Sequence, residues 1–250
     1  MKTEKRIDRR RNYILVVDIE TANDVTQGIA YDIGLAVADK KGNIYEERSY
    51  VIQEMFEDYP DLLHTAYYGE KLATYLVDVA QQRRRMVDIL TAYHEINELI
   101  TKYNISDLYA YNAKFDYNGL NRTIRYLTKS KIRWFFPYGI KVHCIWNMAC
   151  QVIVPTKSYY RFVLDNNFVS EKGNARTNAE AVYSFLSGNP DFEEAHTGLE
   201  DVEIELKILV ACYKKHKKMD TTPKFNCWQA PQKKFKEFCK NAWQTLKLVI

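Results

Sequence analysis

Tyr13-Ile14-Leu15-Val16-Val17-Asp18-Ile19-Glu20-Thr21 is the stretch on which the fold of this chain turns. An apolar, largely β-branched run of this length suits a strand buried on both faces at the centre of a sheet. It then meets two carboxylates. Side chains alternate along a strand, so Asp18 and Glu20 point to the same side of the sheet. Two adjacent anions at a strand end repel each other and resist desolvation. A hard divalent cation between them is one explanation, and a solvated acidic strand end is the other. The chain has fifteen Asp and seventeen Glu, and Asp-x-Glu recurs at Asp191 to Glu193 and Asp201 to Glu203, so the tripeptide alone says little. Only the first instance leaves a buried apolar run.

Outward from this strand, Ile33 to Ala38 is a second apolar run, and Lys41-Gly42-Asn43 turns the chain into Ile44 to Ile52. From Glu54 to about Tyr103 the spacing is helical, with Leu72, Leu76, Val79 and Ala80 on one face and Ile89, Tyr93, Ile96 and Ile100 on another. Pro60 and Gly69 break its first part, which marks 54–82 as an inserted helical elaboration. Leu108 to Tyr111 predicts a short strand, Asn112 to Leu127 a helix, Gly139 to Val142 a fifth strand and Ile145 to Val152 a helix. Residues 155–175 read as loop. Asn178 to Phe185 and Leu199 to Tyr213 read as helices separated by Ser187-Gly188-Asn189-Pro190. The expected order is β-β-β-α-β-α-β-α-α.

The 250 residues are 46% hydrophobic and 27% charged, as for one medium-sized globular domain. The net charge of +4 hides an uneven distribution: residues 1–11 carry +4 and residues 213–250 carry +8, which leaves −8 on the body between them. Five cysteines without a Cys-x-x-Cys pair argue against a disulfide framework and a zinc ribbon. No run approaches the ~18 consecutive apolar residues of a membrane span. A soluble, cytoplasmic protein that does not engage a membrane is the expectation.

Two further patterns bear on chemistry. Tyr111-Asn112-Ala113-Lys114-Phe115-Asp116 places an acid on the first turn of a helix that follows a strand, where ordinary capping and dipole compensation also put acids. His196-Thr197-Gly198-Leu199-Glu200-Asp201 places a histidine on a loop five positions ahead of an acid in a helix start. An imidazole titrating near neutrality beside carboxylates can take a proton from water; an exposed loop histidine is the plainer alternative.

Together, Asp18-Ile19-Glu20-Thr21, then Asn112 with Phe115-Asp116, then His196-x-x-x-x-Asp201 resemble the DEDDh (DnaQ-like) 3′–5′ exonucleases, the family of polymerase proofreading subunits, oligoribonuclease and ribonuclease T. The resemblance spans roughly residues 12–212, and Tyr31-Asp32-Ile33-Gly34 and Lys41-Gly42 share it. It implies a ribonuclease H-like α/β fold, a five-stranded mixed sheet of three antiparallel and two parallel strands flanked by helices. On that pattern the chain divides into a basic leader (1–11), an exonuclease domain (12–213) and a basic, aromatic C-terminal extension (214–250). The resemblance also implies that Asp18, Glu20, Asp116 and Asp201 bind two Mg²⁺ or Mn²⁺ ions about 3.5 to 4 Å apart. His196 would be the general base, and Ile19, Thr21, Asn112 and Phe115 would contact substrate. Carboxylates without cysteine suit hard ions better than zinc.

The activity implied is removal of nucleoside monophosphates from a 3′ end, on single-stranded DNA in the leading reading. RNA trimming, and a non-catalytic nucleic-acid- or polymerase-binding module on the same fold, are the alternatives. An acidic site repels a phosphate backbone, so basic surface is needed nearby. Lys214, Lys215, Lys217 and Lys218, the lysines Lys233, Lys234, Lys236 and Lys240 among Trp228, Phe235, Phe238 and Trp243, and Arg83-Arg84-Arg85 are the candidates. A C-terminal helix that packs its aromatics on the core and leaves its lysines in water is the structural alternative for the tail, and a solvated helix face is the alternative for the arginine run.

Overall fold

The computed structural model describes residues 7–24 and 26–247, and of 241–247 only the helical backbone. The first six residues of the basic leader and the Trp243 side chain lie outside the described residues. In chain order the elements are β1 (Ile14–Ala22), β2 (Ile29–Ala38), β3 (Ile44–Ile52), α1 (Gln53–Glu57), α2 (Pro60–Leu63), α3 (Leu72–Ala80), β4 (Arg85–Val87) and α4 (Ile89–Lys102). They continue with β5 (Asp107–Ala110), α5 (Ala113–Leu127), β6 (Lys141–Cys144), α6 (Ile145–Val152), α7 (Lys157–Asp165), α8 (Ala179–Ser187), α9 (Gly198–Tyr213) and α10 (Gln232–Lys247).

The strands form one sheet in the order β4-β3-β2-β1-β5-β6. β1, β2 and β3 are an antiparallel meander, and β5 and β6 add to β1 in parallel. This is the ribonuclease H-like arrangement, with a sixth strand at the edge. β4 pairs parallel with β3 through Tyr50 and Arg85, Val51 and Met86, and Ile52 and Val87. Three residues behind a cationic pair are too short to show a period in sequence.

β1 sits at the centre because both of its faces are apolar. Leu15, Val17 and Ile19 join the core under α4 and α5, whereas Ile14 and Val16 join the core under α6 to α9. β2 is buried along its whole length. Each large aliphatic side chain so buried contributes roughly 1.5 to 3 kcal/mol.

Three sequence expectations need correction. Residues 155–175 are not all loop: α7 occupies Lys157–Asp165, started by Thr156, whose hydroxyl accepts the Tyr159 N–H at 3.3 Å. Tyr159, Tyr160 and Val163 are its buried face, an amphipathic pattern that a tyrosine-rich run conceals. The fifth predicted strand begins two residues late, because Gly139 is still in a turn at φ +89°. In α3 the inward face is Leu72, Tyr75 and Val79, while Leu76 is 53% exposed. The helix is rotated so that the Tyr75 hydroxyl reaches Asp32, to which it donates at 2.8 Å.

The C-terminal segment is woven into the domain. Cys144 N–H donates to the Thr221 carbonyl at 2.7 Å, and Asn147 donates to the carbonyls of Asp220 and Thr222 at 3.0 and 2.9 Å. Gln232 accepts from the Ala175 N–H and donates to the Ala175 carbonyl. Phe235 and Phe238 of α10 pack on Tyr160 of α7, and Lys233, Lys234, Lys236 and Lys240 face solvent.

Candidate active site

β1 and β5 pair only through Leu15 with Leu108 and Val16 with Tyr109. Beyond that point they part, and the gap between two parallel strands is where an open α/β sheet offers a site. Asp18 and Glu20 lie on the β1 side of the gap, and the β5 side leads through Tyr111 and Asn112 into α5, which carries Asp116.

Close packing of both helices brings the acids together. On the face that carries Asp18 and Glu20, α9 enters flush against β2: a Cβ on Gly34 would lie 2.0 Å from the Gly198 carbonyl carbon, and one on Gly198 would lie 2.6 Å from the Gly34 nitrogen. On the other face, a Cβ on Gly119 of α5 would lie 2.4 Å from Ile19 Cδ1. Glycine at these positions lets Asp201 and Asp116 approach β1.

A buried polar anchor fixes the entry of α9. Asp32, directly across from Glu20 in the β1–β2 register, accepts from the Gly198 N–H at 2.9 Å and from Tyr75. Arg84 reaches Asp32 at 3.6 Å, Asp78 at 3.1 Å, Glu200 at 2.7 Å and the Ser49 hydroxyl at 2.9 Å. Arg83 pairs with Asp78 and Arg85 with Glu95. Arg84 is therefore committed to protein carboxylates, which corrects its reading as free basic surface, whereas Arg83 and Arg85 keep 60% and 54% of their side chains exposed beside their acids.

The ligand atoms of Glu20, His196 and Asp201 lie within 4.8 Å of one another, as do those of Glu180, Glu194 and His196. Asp18 and Asp116 fall outside both groups, but Asp18 feels the charges of Glu20, Asp116 and Asp201. Asp18 is raised well above the usual carboxylate range, first by burial and then by Glu205, Asp116, Glu20 and Asp201. Burial and then Asp201 push Glu20 up to about 9. Burial lifts Asp116 to about 7, and burial followed by Glu194 lifts Asp201 to about 8. Asp116 does not act as a helix cap: it lies in the first turn of α5 but is buried, and the N-cap Asn112 makes no side-chain capping bond.

Asp201 receives the Thr197 N–H at 3.0 Å on Oδ2, while its buried Oδ1 has no hydrogen-bond partner; Glu205 Oε2 is in the same condition. Among the described residues, no Lys or Arg forms an ion pair with Asp18, Glu20, Asp116, Asp201 or Glu205. Buried carboxylate oxygens without donors, in an all-oxygen set beside one imidazole, fit a divalent cation.

His196 sits on the loop before α9 with a left-handed backbone, φ +53°, and burial holds its imidazole below the usual histidine value, with Glu180 opposing. Of the other predicted residues, Asn112 caps α5 and its carbonyl accepts the Phe115 N–H at 2.7 Å. Phe115 packs partly on the core, Thr21 is half-buried beside Gly28, and Ile19 is buried against Gly119. Glu205, Glu194, Glu180 and Tyr68 were not legible as site residues. Glu205 carried one signal: it follows Asp201 by four positions on the same helix, amid an otherwise apolar stripe.

No protein-family model matches the chain. No curated protein matches it either. Among solved structures, that of E. coli exonuclease I in complex with a 5cy-dT13 oligonucleotide is similar at a TM-score of 0.50 and 12% identity, over 82% of this chain and 41% of that one. The zinc-ion-bound form of the E. coli exonuclease I–ssDNA complex is similar at a TM-score of 0.49 and 14% identity, over 79% of this chain and 39% of that one. The chain spans about two fifths of the length of these structures, and the likeness is one of fold.

Proposed function

We propose that this protein is a metal-dependent 3′→5′ exonuclease that hydrolyses the terminal phosphodiester of single-stranded DNA and releases nucleoside monophosphates. The observation that carries this reading is the gathering of Asp18, Glu20, Asp116 and Asp201 at the parting of β1 and β5, without a basic partner among the described residues and with His196 beside Glu20 and Asp201. The fold shared with an exonuclease bound to an oligonucleotide supports the substrate class.

The four acids would hold Mg²⁺ or Mn²⁺, which supplies a water of lowered pKa and neutralises charge on the scissile phosphate. His196 accepts the proton of the attacking water. Burial keeps the imidazole below its ordinary pKa and so unprotonated at neutral pH, and Tyr68 fixes its plane. As the water oxygen bonds to phosphorus, the bond from phosphorus to the 3′ oxygen breaks and that oxygen takes up a proton. Ile19, Thr21, Asn112 and Phe115 lie along the β1 exit and the α5 entry, where a terminal nucleotide would rest.

The test uses 3′- and 5′-labelled single- and double-stranded DNA and RNA with Mg²⁺ or Mn²⁺, beside Asp18→Ala and His196→Ala. Metal-dependent shortening from the 3′ end, fastest on single-stranded DNA and lost in both variants, is the expected result. Faster trimming of RNA would reassign the substrate, and no shortening of any substrate would overturn the enzyme reading.

A further inference from the structure

Residues 117–164 contain no Asp or Glu and eight Lys or Arg, inside a body whose net charge is −8. Within this span, the connection from α5 to β6 carries both cations and aromatic rings on its surface. Lys129, Lys131, Arg133 and Lys141 are exposed, and none of them forms an ion pair among the described residues. Between them, Trp134 is 59% exposed and Tyr138 stands fully in solvent. Arg122 and Arg125 extend the basic line back along α5. Each donates through Nε to a backbone carbonyl, of Gly28 and Asn121, and neither pairs with a carboxylate, although the charge of Asp24 reaches Arg122.

These exposed side chains stand on a fixed backbone. Lys129 and Ser130 take the left-handed conformation, φ +51° and +61°, and the Ser130 N–H donates to the Arg125 carbonyl at 2.7 Å, which closes α5. Phe135 and Phe136 are buried in the core. The Phe135 N–H donates to Asn121 Oδ1 at 2.7 Å, and Asn97 Nδ2 donates to the Phe135 carbonyl at 3.0 Å. Trp134 is thus held outward beside a residue locked into the core. A loop that only joined α5 to β6 would have no use for a solvated indole, whereas cations interleaved with aromatic faces neutralise phosphates and stack bases.

The position suits a strand whose 3′ end lies in the candidate site. Asp116 is in the first turn of α5, and the connection begins at the other end of the same helix, about 17 Å further along its axis. A stacked strand has one phosphate per ~3.4 Å, so about five nucleotides span that distance. We infer that the α5–β6 connection is a second contact surface for single-stranded nucleic acid, on which Lys129, Lys131, Arg133 and Lys141 meet phosphates and Trp134 stacks on a base about five nucleotides from the 3′ end. This rests on the exonuclease reading above, which puts the 3′ end at Asp116. The rival occupant is an acidic protein surface, for which the length of a nucleic-acid strand has no meaning.

The experiment is fluorescence anisotropy of 5′-labelled dT20 and dT3 with the full chain in Mg²⁺, in a His196→Ala background that preserves the strand. Replacing Lys129, Lys131, Arg133 and Lys141 together with Gln should weaken dT20 binding about tenfold or more and flatten the slope of log affinity against log salt by about 3, at ~0.7 per phosphate contact. Trp134→Ala should weaken dT20 about fivefold or more without changing the slope, and Trp134→Phe should recover most of the loss. The trinucleotide is too short to reach the connection and should bind all these proteins alike. The replaced side chains are exposed, and equal melting temperatures check that the fold is kept. Unchanged dT20 binding in both the quadruple and the Trp134→Ala proteins would overturn the inference, leave the patch to an acidic protein, and leave the exonuclease reading standing. An equal loss on dT3 and dT20 would also overturn it, because a long-range field rather than contact would then be at work. Binding of dT20 that depends on this connection, in a protein whose wild type shortens no nucleic acid, would support the surface and reject only the exonuclease reading.

Discussion

Tyr68 lays its ring flat on the His196 imidazole, with centroids 3.9 Å apart and planes within 12°. The two residues are far apart in the chain, and Tyr68 belongs to the segment between α2 and α3, so this helical elaboration reaches the candidate general base. Stacking of this kind contributes about 0.5 to 1.5 kcal/mol, which corresponds to roughly two- to tenfold in rate if it is felt in the transition state. Tyr68→Ala should lower kcat by that factor and Tyr68→Phe should restore it. Burial is the first cause of the depressed imidazole, so exposing it should raise the His196 pKa and move the acid limb of the kcat profile to higher pH. An acid limb that stays in place would reduce Tyr68 to a packing role.

The crowding of acids makes the metal-free protein sensitive to pH in a defined direction. Glu20 at about 9, Asp201 at about 8 and Asp116 at about 7 hold protons in the folded chain that the unfolded chain has released above about pH 4. The folded state binds more protons, so stability falls as pH rises from about 4 through these folded values. In EDTA the melting temperature should fall between pH 5.5 and 9, and saturating Mg²⁺ should flatten the fall by neutralising the carboxylates. Asp18→Asn should raise the EDTA melting temperature at pH 8. A profile in EDTA that is flat over this range would contradict the electrostatic picture.

Much of the sheet was legible because β1 and β2 advertise themselves: continuous apolar runs have few other places to go in a domain of this size. Asp18, Glu20, Asp116, His196 and Asp201 were legible as motifs at element boundaries. The contacts that set their geometry were not. Gly34 and Gly198 are separated by most of the chain, and only their juxtaposition explains why neither tolerates a Cβ. Arg84 looked like one of three solvated cations, since its partners Asp32, Asp78 and Glu200 come from three elements. β4 was hidden by its brevity and α7 by its tyrosines.

Arg84 and Arg83 are neighbours with opposite expected sensitivity. Arg84 is 7% exposed and counters Asp32, which is fully buried. Its removal leaves that carboxylate without its cation, a loss of about 3 to 5 kcal/mol for a broken buried pair. Arg83 has 60% of its side chain exposed beside Asp78, where an ion pair contributes about 0 to 1 kcal/mol. Urea unfolding of Arg84→Met and Arg83→Gln should separate by that margin. The Arg84 variant should also lose metal affinity, because Asp32 holds the Gly198 N–H at the start of the helix that carries Asp201. Equal unfolding midpoints would mean that Arg84 is not the anchor its contacts suggest.

With Lys214, Lys215, Lys217 and Lys218, which are also exposed, the lysines of α10 remain candidates for contact with a phosphate backbone, and the structure dictates how to test those of α10. Removing 219–250 would strip Phe235 from the core, break the bonds from Asn147 to 220 and 222, and unseat Gln232 from Ala175, so a truncation would report on folding. Lys233, Lys234, Lys236 and Lys240 are exposed, and replacing all four with Gln leaves the aromatic face of the helix intact. On single strands each phosphate contact contributes about 0.7 to the slope of log affinity against log salt, so four contacts amount to about 3. Fluorescence anisotropy with a labelled single-stranded oligonucleotide, in a catalytically silent His196→Ala background, should show a shallower slope and weaker binding at low salt for the quadruple variant. If the two slopes coincide, these lysines only solvate the outer face of α10, and the counter-charge for the acidic site must come from the bound cations and other surfaces.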